Sequence, residues 1–240
     1  MTNLAIDRDD IEDAADRIAP HVRLTPTMTV DARDFGLEVD ATITLKLEGL
    51  QHAGSFKTRG AFNRTLSNEV TEVGLITASG GNHGVAVSHV AARLGHRAEV
   101  FVTETTPEAK IARIRANGAE VVVAGRYYDD AQEASTARAR ETGALVVHPF
   151  NQPETLAGQG TLGRELERQA PDLDAVLVAV GGGGLIAGVA AWYEGRVRVI
   201  SVEPELIPAM SRALEAGTPV EVGVSGIAAD SLGTKEIGAL

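Results

Sequence analysis

Short apolar runs alternate with stretches of helical spacing along most of this chain, and the alternation predicts its elements. Apolar runs at 42–47, 74–77, 98–102, 120–123, 144–147, 175–180 and 197–202 predict strands. The intervening stretches predict helices starting near Phe56, Asn82, Pro107, Tyr128, Glu154, Gly183 and Ile207. Ahead of them, residues 7–19 read as an acidic amphipathic helix with Ile11, Ala14, Ala15 and Ile18 along one side. Gly95 and Gly118 close two of the later helices, where glycine suits a left-handed cap. Strand–helix alternation of this kind implies an α/β protein with open, mainly parallel sheets covered by helices. Ligands of such sheets sit beyond the carboxyl ends of the strands. Three segments fall there: residues 79–83, Asn151, and the tetrad Gly181, Gly182, Gly183 and Gly184.

Composition narrows the classes. A chain of 240 residues, 44% hydrophobic and 23% charged, can bury a core as one large or two small domains. No apolar run approaches the length of a membrane span, so no membrane partner is expected. The acidic first twenty residues resemble neither a secretory signal nor a transit peptide, so a cytoplasmic protein is expected. The net charge of −11 argues against nucleic acid as a partner. With no cysteine, thiol nucleophiles and thiolate metal sites are excluded together.

The candidate chemistry starts at Lys57, one of only four lysines. It stands among small residues in Gly54-Ser55-Phe56-Lys57-Thr58-Arg59-Gly60-Ala61. A lysine that attacks a carbonyl must be neutral for part of its cycle, which calls for desolvation or nearby positive charge. Arg59 and the apolar, glycine-lined surroundings are expected to supply both. An ordinary surface lysine is the plain alternative. The glycine tetrad lies between a strand and a helix, where backbone N–H groups can turn onto an anion at the helix start. Together the two features suit a phosphate-bearing aldehyde such as pyridoxal phosphate. Ser79-Gly80-Gly81-Asn82-His83 offers a hydroxyl, an amide and free N–H groups to a carboxylate, or else is a polar turn with Asn82 as a cap.

Other readings stay open on these residues. His21, His52, His89, His96 and His148 show no metal-ligand spacing, so no histidine metal site is expected. The strand, glycine turn, helix and following strand ending at Glu203 outline a dinucleotide-binding unit, with Glu203 as the ribose acid. That fingerprint is incomplete, because Leu185 stands where its middle glycine belongs. A nicotinamide-dependent oxidoreductase is the alternative it leaves.

The motifs resemble, in order and spacing, those of the serine/threonine dehydratase and serine racemase family, among the tryptophan-synthase-β-like (fold type II) pyridoxal-phosphate enzymes. Residues 46–61 resemble its cofactor-lysine motif, 79–83 its substrate-carboxylate loop, and 180–188 its phosphate loop. His148-Pro149-Phe150-Asn151-Gln152 and Ala157-Gly158-Gln159-Gly160-Thr161 are similar to further segments.

The resemblance implies pyridoxal 5'-phosphate held covalently by Lys57, which would also act as the base at Cα. Phe56 would pack near the ring, Asn82 would bond the ring hydroxyl, and Asn151 would line the cleft. Gly181 to Gly184 would bind the phosphate, and Ser79, Asn82 and His83 the substrate carboxylate. The implied reaction is β-elimination from L-threonine or L-serine, giving a 2-oxo acid and ammonia. A racemase or a 3-hydroxyaspartate dehydratase is the alternative within the family. Gly80 favours the dehydratase, since racemases of the family resemble one another in carrying a second serine there.

The resemblance further implies two lobes, 1–73 with 151–240 as the large cofactor-binding lobe and 74–150 as a smaller inserted one. A homo-oligomer, dimer or tetramer, is expected. The family's chains continue past the point matching Leu240, so the C-terminal part of the fold is expected to be missing, and an inactive truncated pyridoxal-phosphate-binding protein is a further alternative. Metal-binding relatives use a glutamate matching Glu203 followed shortly by an aspartate. Here the stretch is Glu203-Pro204-Glu205, so no metal is expected and Glu203 is only a weak candidate.

Overall fold

The first helix, α1 (Arg8–Ile18), buries the four residues its pattern singled out, Ile11, Ala14, Ala15 and Ile18. Asp7 caps it by accepting from the Asp10 N–H at 3.0 Å. The computed structural model describes residues 5–239; residues 1–4 and 240, which the expected large lobe included, lie outside it. The predicted alternation is present throughout, with shifts of a residue or two at element ends.

Several short elements were not predicted, a strand among them. Thr27–Asp31 forms β1, which pairs antiparallel with β2 (Thr42–Lys46). β1 is the more exposed of the two, and its Thr27-Met28-Thr29-Val30-Asp31 carries no apolar run. Helix α2 (Lys57–Leu66) then leads to β3 (Leu75–Ala78), α3 (Asn82–Leu94), β4 (Ala98–Val102), α4 (Glu108–Arg115), β5 (Glu120–Val123), α5 (Tyr128–Thr142) and β6 (Leu145–Val146). These strands build a wholly parallel sheet in the order β5-β4-β3-β6. The chain steps outward from β3 to β5 and then returns to the other side of β3. The strand order reverses there, and a crevice opens beyond the carboxyl ends of β3 and β6.

Helix α6 (Pro153–Gln169) joins this sheet to β7 (Ala175–Ala179), α7 (Gly184–Tyr193), β8 (Arg198–Val202), α8 (Ala209–Ala216) and the short α9 (Ala229–Leu232). β7 and β8 are parallel. Helices cover one of their faces, burying Val176 and Val178. The other face leaves Leu177 68% and Ile200 42% exposed.

The positions of α2 and α7 are fixed by backbone contact with α6. A methyl at Gly158 would lie 2.7 Å from the Gly60 Cα, and one at Gly188 would lie 2.5 Å from the Gly160 nitrogen. Glycine on both sides of each crossing lets the helices touch closer than any side chain permits. The segment 157–161 thus holds the lysine helix and the helix behind the glycine tetrad in one frame.

Candidate active site

Two 3-10 turns, Glu48–Leu50 and His52–Gly54, deliver the chain into α2, with Ala53 and Gly54 at positive φ. Lys57 is the first residue of that helix. Its Nζ donates to the Pro149 carbonyl at 2.8 Å and stands 5.2 Å from the centre of the Phe56 ring. Burial pushes its pKa down to about 8. That cause acts alone, which corrects the expectation for Arg59. The Arg59 guanidinium is 1% exposed and bonds Glu48 at 2.7 and 2.9 Å and Glu165 at 2.9 Å. Its charge is spent on those carboxylates, and it lends Lys57 none.

Beyond β3, the Gly81 N–H donates to the Ser79 hydroxyl at 3.2 Å, and Asn82 opens α3. His83 is 3% exposed and its Nε2 lies 2.8 Å from the Val147 carbonyl. A carbonyl only accepts, so Nε2 carries the proton and Nδ1 keeps its lone pair. That Nδ1 is buried without a partner among the described residues. Burial, then the nearby Lys57 charge, push the His83 pKa down to about 3. A neutral imidazole locked in this way ties α3 to β6. What His83 can offer a carboxylate is its backbone N–H at the helix start, where the first N–H groups lack helical partners.

Beyond β6, the His148 Nδ1 accepts from the Asn151 N–H at 3.0 Å and the Phe150 N–H at 3.3 Å, and burial pushes its pKa to about 4. Phe150 was not expected to matter. Its ring lies where a methyl on Gly182 would sit, 2.3 Å from that position, and its Cβ crowds Gly184 at 2.7 Å. The tetrad is therefore glycine partly to accept Phe150. Gly183 caps α7 at φ 87°, a left-handed conformation. Among the described residues, none of the N–H groups of Gly181, Gly182 and Gly183 reaches a carbonyl.

Gly238 and Ala239 also enter this site. The Gly238 N–H donates to the Gly182 carbonyl at 3.0 Å, and the Ala239 N–H donates to Asn151 Oδ1 at 3.1 Å. Neither residue carries a side chain whose chemistry would single it out in the sequence.

Glu203 stands apart from this cluster. Its carboxylate accepts from the N–H groups of Met210 (2.6 Å) and Ser211 (2.8 Å) and from the Ser211 hydroxyl (2.8 Å), capping α8. Both oxygens are engaged there. Among the described residues no group of three carboxylates or histidines is arranged to hold a metal.

The residues fit pyridoxal phosphate on two counts. A buried amine with a pKa near neutrality is a usable nucleophile for an aldehyde. Consecutive unpartnered N–H groups ahead of a helix form a cradle for a phosphate. The family model described as pyridoxal-phosphate dependent enzyme matches residues 18–240. An L-threonine ammonia-lyase of Geobacter sulfurreducens is 41% identical over 233 residues, covering 95% of this chain and 58% of its own. A phenylserine dehydratase of Ralstonia pickettii is 42% identical over 224 residues, covering 90% of this chain and 67% of its own. The structure of maize serine racemase superposes with a TM-score of 0.91 at 31% identity, over 98% of this chain and 72% of the other. The chain thus spans little more than half the length of the first of these relatives.

Proposed function

Since the chain belongs to the pyridoxal-phosphate dependent enzymes, we propose that it holds the cofactor on Lys57 and eliminates water from L-threonine, L-serine or a close 3-hydroxy amino acid, yielding a 2-oxo acid and ammonia. The observation that carries this reading is the Lys57 amine, buried without a counter-anion and brought to a pKa of about 8. When bound, the cofactor supplies an electron sink for the pair left at Cα.

The chain supplies the rest. Lys57 takes the proton from Cα, being partly neutral at physiological pH. Ser79, Asn82 and the N–H groups at the start of α3 receive the substrate carboxylate. Gly181 to Gly184 receive the phosphate, Phe56 flanks the ring, Asn82 bonds its hydroxyl, and Asn151 lines the cleft. Phe150 and the segment at Gly238 close the tetrad from outside and limit the entry of water.

Likeness to a serine racemase supports a second reading, in which a proton returns to the opposite face of Cα. Gly80 weighs against it. Glycine itself carries no proton-bearing group, and a Cβ there would come within 2.6 and 2.7 Å of the Thr106 side chain, so a serine would fit only if Thr106 moved. The same proposal divides the chain into lobes at 1–73 with 151–240 and at 74–150, the sheet of β3 to β6 forming the smaller. It takes the protein to be a cytoplasmic homo-oligomer. Among the described residues no helix is long and apolar enough to cross a membrane.

The test is a visible spectrum of the chain with added pyridoxal phosphate, before and after borohydride reduction, followed by peptide mapping. A band fixed on the Lys57 peptide, absent in Lys57→Ala, is expected, with oxo-acid release from L-threonine or L-serine. A chain that is folded by circular dichroism and gives no such band would sink the reading.

A further inference from the structure

A cavity of about 380 Å3 borders the proposed carboxylate loop at Ser79, Gly80 and Gly81. Its opposite side is formed by Ala229 and Asp230 of α9. Leu232, the last residue of α9, and Thr234 just after it lie 3.4 and 3.2 Å from where a methyl on Gly181 would sit. The cavity therefore adjoins the proposed site through both the carboxylate loop and the segment packed on the glycine tetrad. None of the roles assigned above uses it.

Its size and lining are informative. Small-molecule pockets run from roughly 300 to 1,000 Å3, so the cavity is on the scale of a ligand group. A methyl group fills little more than one water, whose share of the liquid is about 30 Å3. Phe101, Val102 and Ala131, all buried, give the wall an apolar part, and Thr103, Thr105 and Thr106 add methyl and hydroxyl groups beside it. Two tyrosines, Tyr127 and Tyr128, stand at the mouth, 65% and 42% exposed. The Tyr128 hydroxyl donates to Gln132 Oε1 at 3.0 Å. Lys110, the cation nearest α9, is paired with Asp230. An apolar floor, an aromatic mouth and a neutralised lysine suit a flat uncharged group.

We infer that this cavity receives the substituent on the substrate's β-carbon and selects 3-hydroxy amino acids bearing an aromatic ring there, over threonine with its methyl. The inference rests on the elimination reading above. Arg126, also at the rim, has no carboxylate within 4 Å among the described residues, so a carboxylate substituent is the alternative to be tested.

The cofactor-loaded chain would be titrated with L-threonine, L-threo-3-phenylserine and L-threo-3-hydroxyaspartate. The change in the cofactor band would give a Kd for each, and oxo-acid release would be followed in parallel. Phenylserine should bind about tenfold or more tighter than threonine, a discrimination that a fitted apolar pocket can reach. Ala131→Leu fills the floor and Tyr127→Ala opens the exposed rim without touching the core. Each should cut the phenylserine-to-threonine ratio several-fold. A ratio near one in the wild type, or variants that weaken both ligands equally, would overturn the assignment. So would preference for hydroxyaspartate that is lost in Arg126→Ala. A loaded chain whose band responds to none of the three overturns the elimination reading itself, and this inference with it.

Discussion

Two cations enter the protein interior within the first turn of α2, and they meet opposite surroundings. Arg59 lies in a closed network. Glu48 and Glu165 take its guanidinium, Lys46 binds Glu165 at 2.5 Å and Gln169 at 2.7 Å, and the Thr25 hydroxyl donates to Glu48. Two positive and two negative side chains balance, so desolvation is offset by direct ion pairs. Lys57, two residues earlier, has one neutral carbonyl and no carboxylate. The first arrangement holds β2, α2 and α6 together. The second keeps an amine ready to lose its proton. Two residues thus separate a cation that serves the fold from a cation suited to chemistry, and the difference is the presence of an anion.

The contrast predicts stability changes of opposite sign. Arg59→Met leaves buried carboxylates short of a partner and should destabilise the chain by about 3–5 kcal/mol. Lys57→Met removes a charge that the folded state disfavours. With the amine at about pH 8 against an ordinary 10.5, it should leave stability unchanged or raise it by up to about 3 kcal/mol at pH 7. Urea unfolding of both variants checks this. Equal losses in the two would mean that the positions do not differ in the way described.

The next effect is a dependence on pH. Between about pH 8 and 10.5 the unfolded chain holds a proton on Lys57 that the folded chain has released, so stability should rise with pH across that window. The slope from this one group is at most about 1.4 kcal/mol per pH unit, and Lys57→Met should remove it, leaving what Lys46, whose pKa burial also lowers, contributes. His83 and His148 act in the acid range, with folded pKa values of about 3 and 4. As pH falls below about 6.5 the unfolded histidines bind protons that the folded ones refuse, so stability should decline toward pH 4. Arg59, whose pKa is raised, contributes no slope in either range. A flat profile from pH 4 to 6 would contradict the buried, neutral state of the two histidines.

Much of this geography was legible in the sequence, and the limits have physical causes. Strands covered on both faces, such as β3 and β4, write continuous apolar runs that are read without ambiguity. β1, half exposed, writes none and was missed. Lys57 stood out because its neighbours are too small and apolar for a surface lysine. The fate of Arg59 did not, because Glu48 reaches it from a turn before α2 and Glu165 from a helix far along the chain. The glycine tetrad was read as a phosphate cradle, and its packing against Phe150 was hidden, since a glycine accommodating an aromatic ring looks like any other. Gly238 and Ala239 enter the site through backbone atoms alone. Main-chain chemistry shows in a sequence only where a run of glycines between a strand and a helix announces it.

The smallest effect tests whether the two regions are independent. Lys46→Met removes the second cation of the network but leaves Glu165 paired with Arg59 and bonded to the Thr25 N–H at 2.8 Å. The loss should be about 1–3 kcal/mol, the range for one partner removed from a charged hydrogen bond, and smaller than for Arg59→Met. The pH midpoint at which pyridoxal phosphate becomes fixable on Lys57 by borohydride should be the same in this variant as in the unaltered chain. Burial sets that midpoint, and Lys46 has no part in the burial of the lysine amine. A midpoint that moved by a full unit would show that the field of the network reaches Lys57 after all. The separation of structural from chemical cation along α2 would then be one of degree.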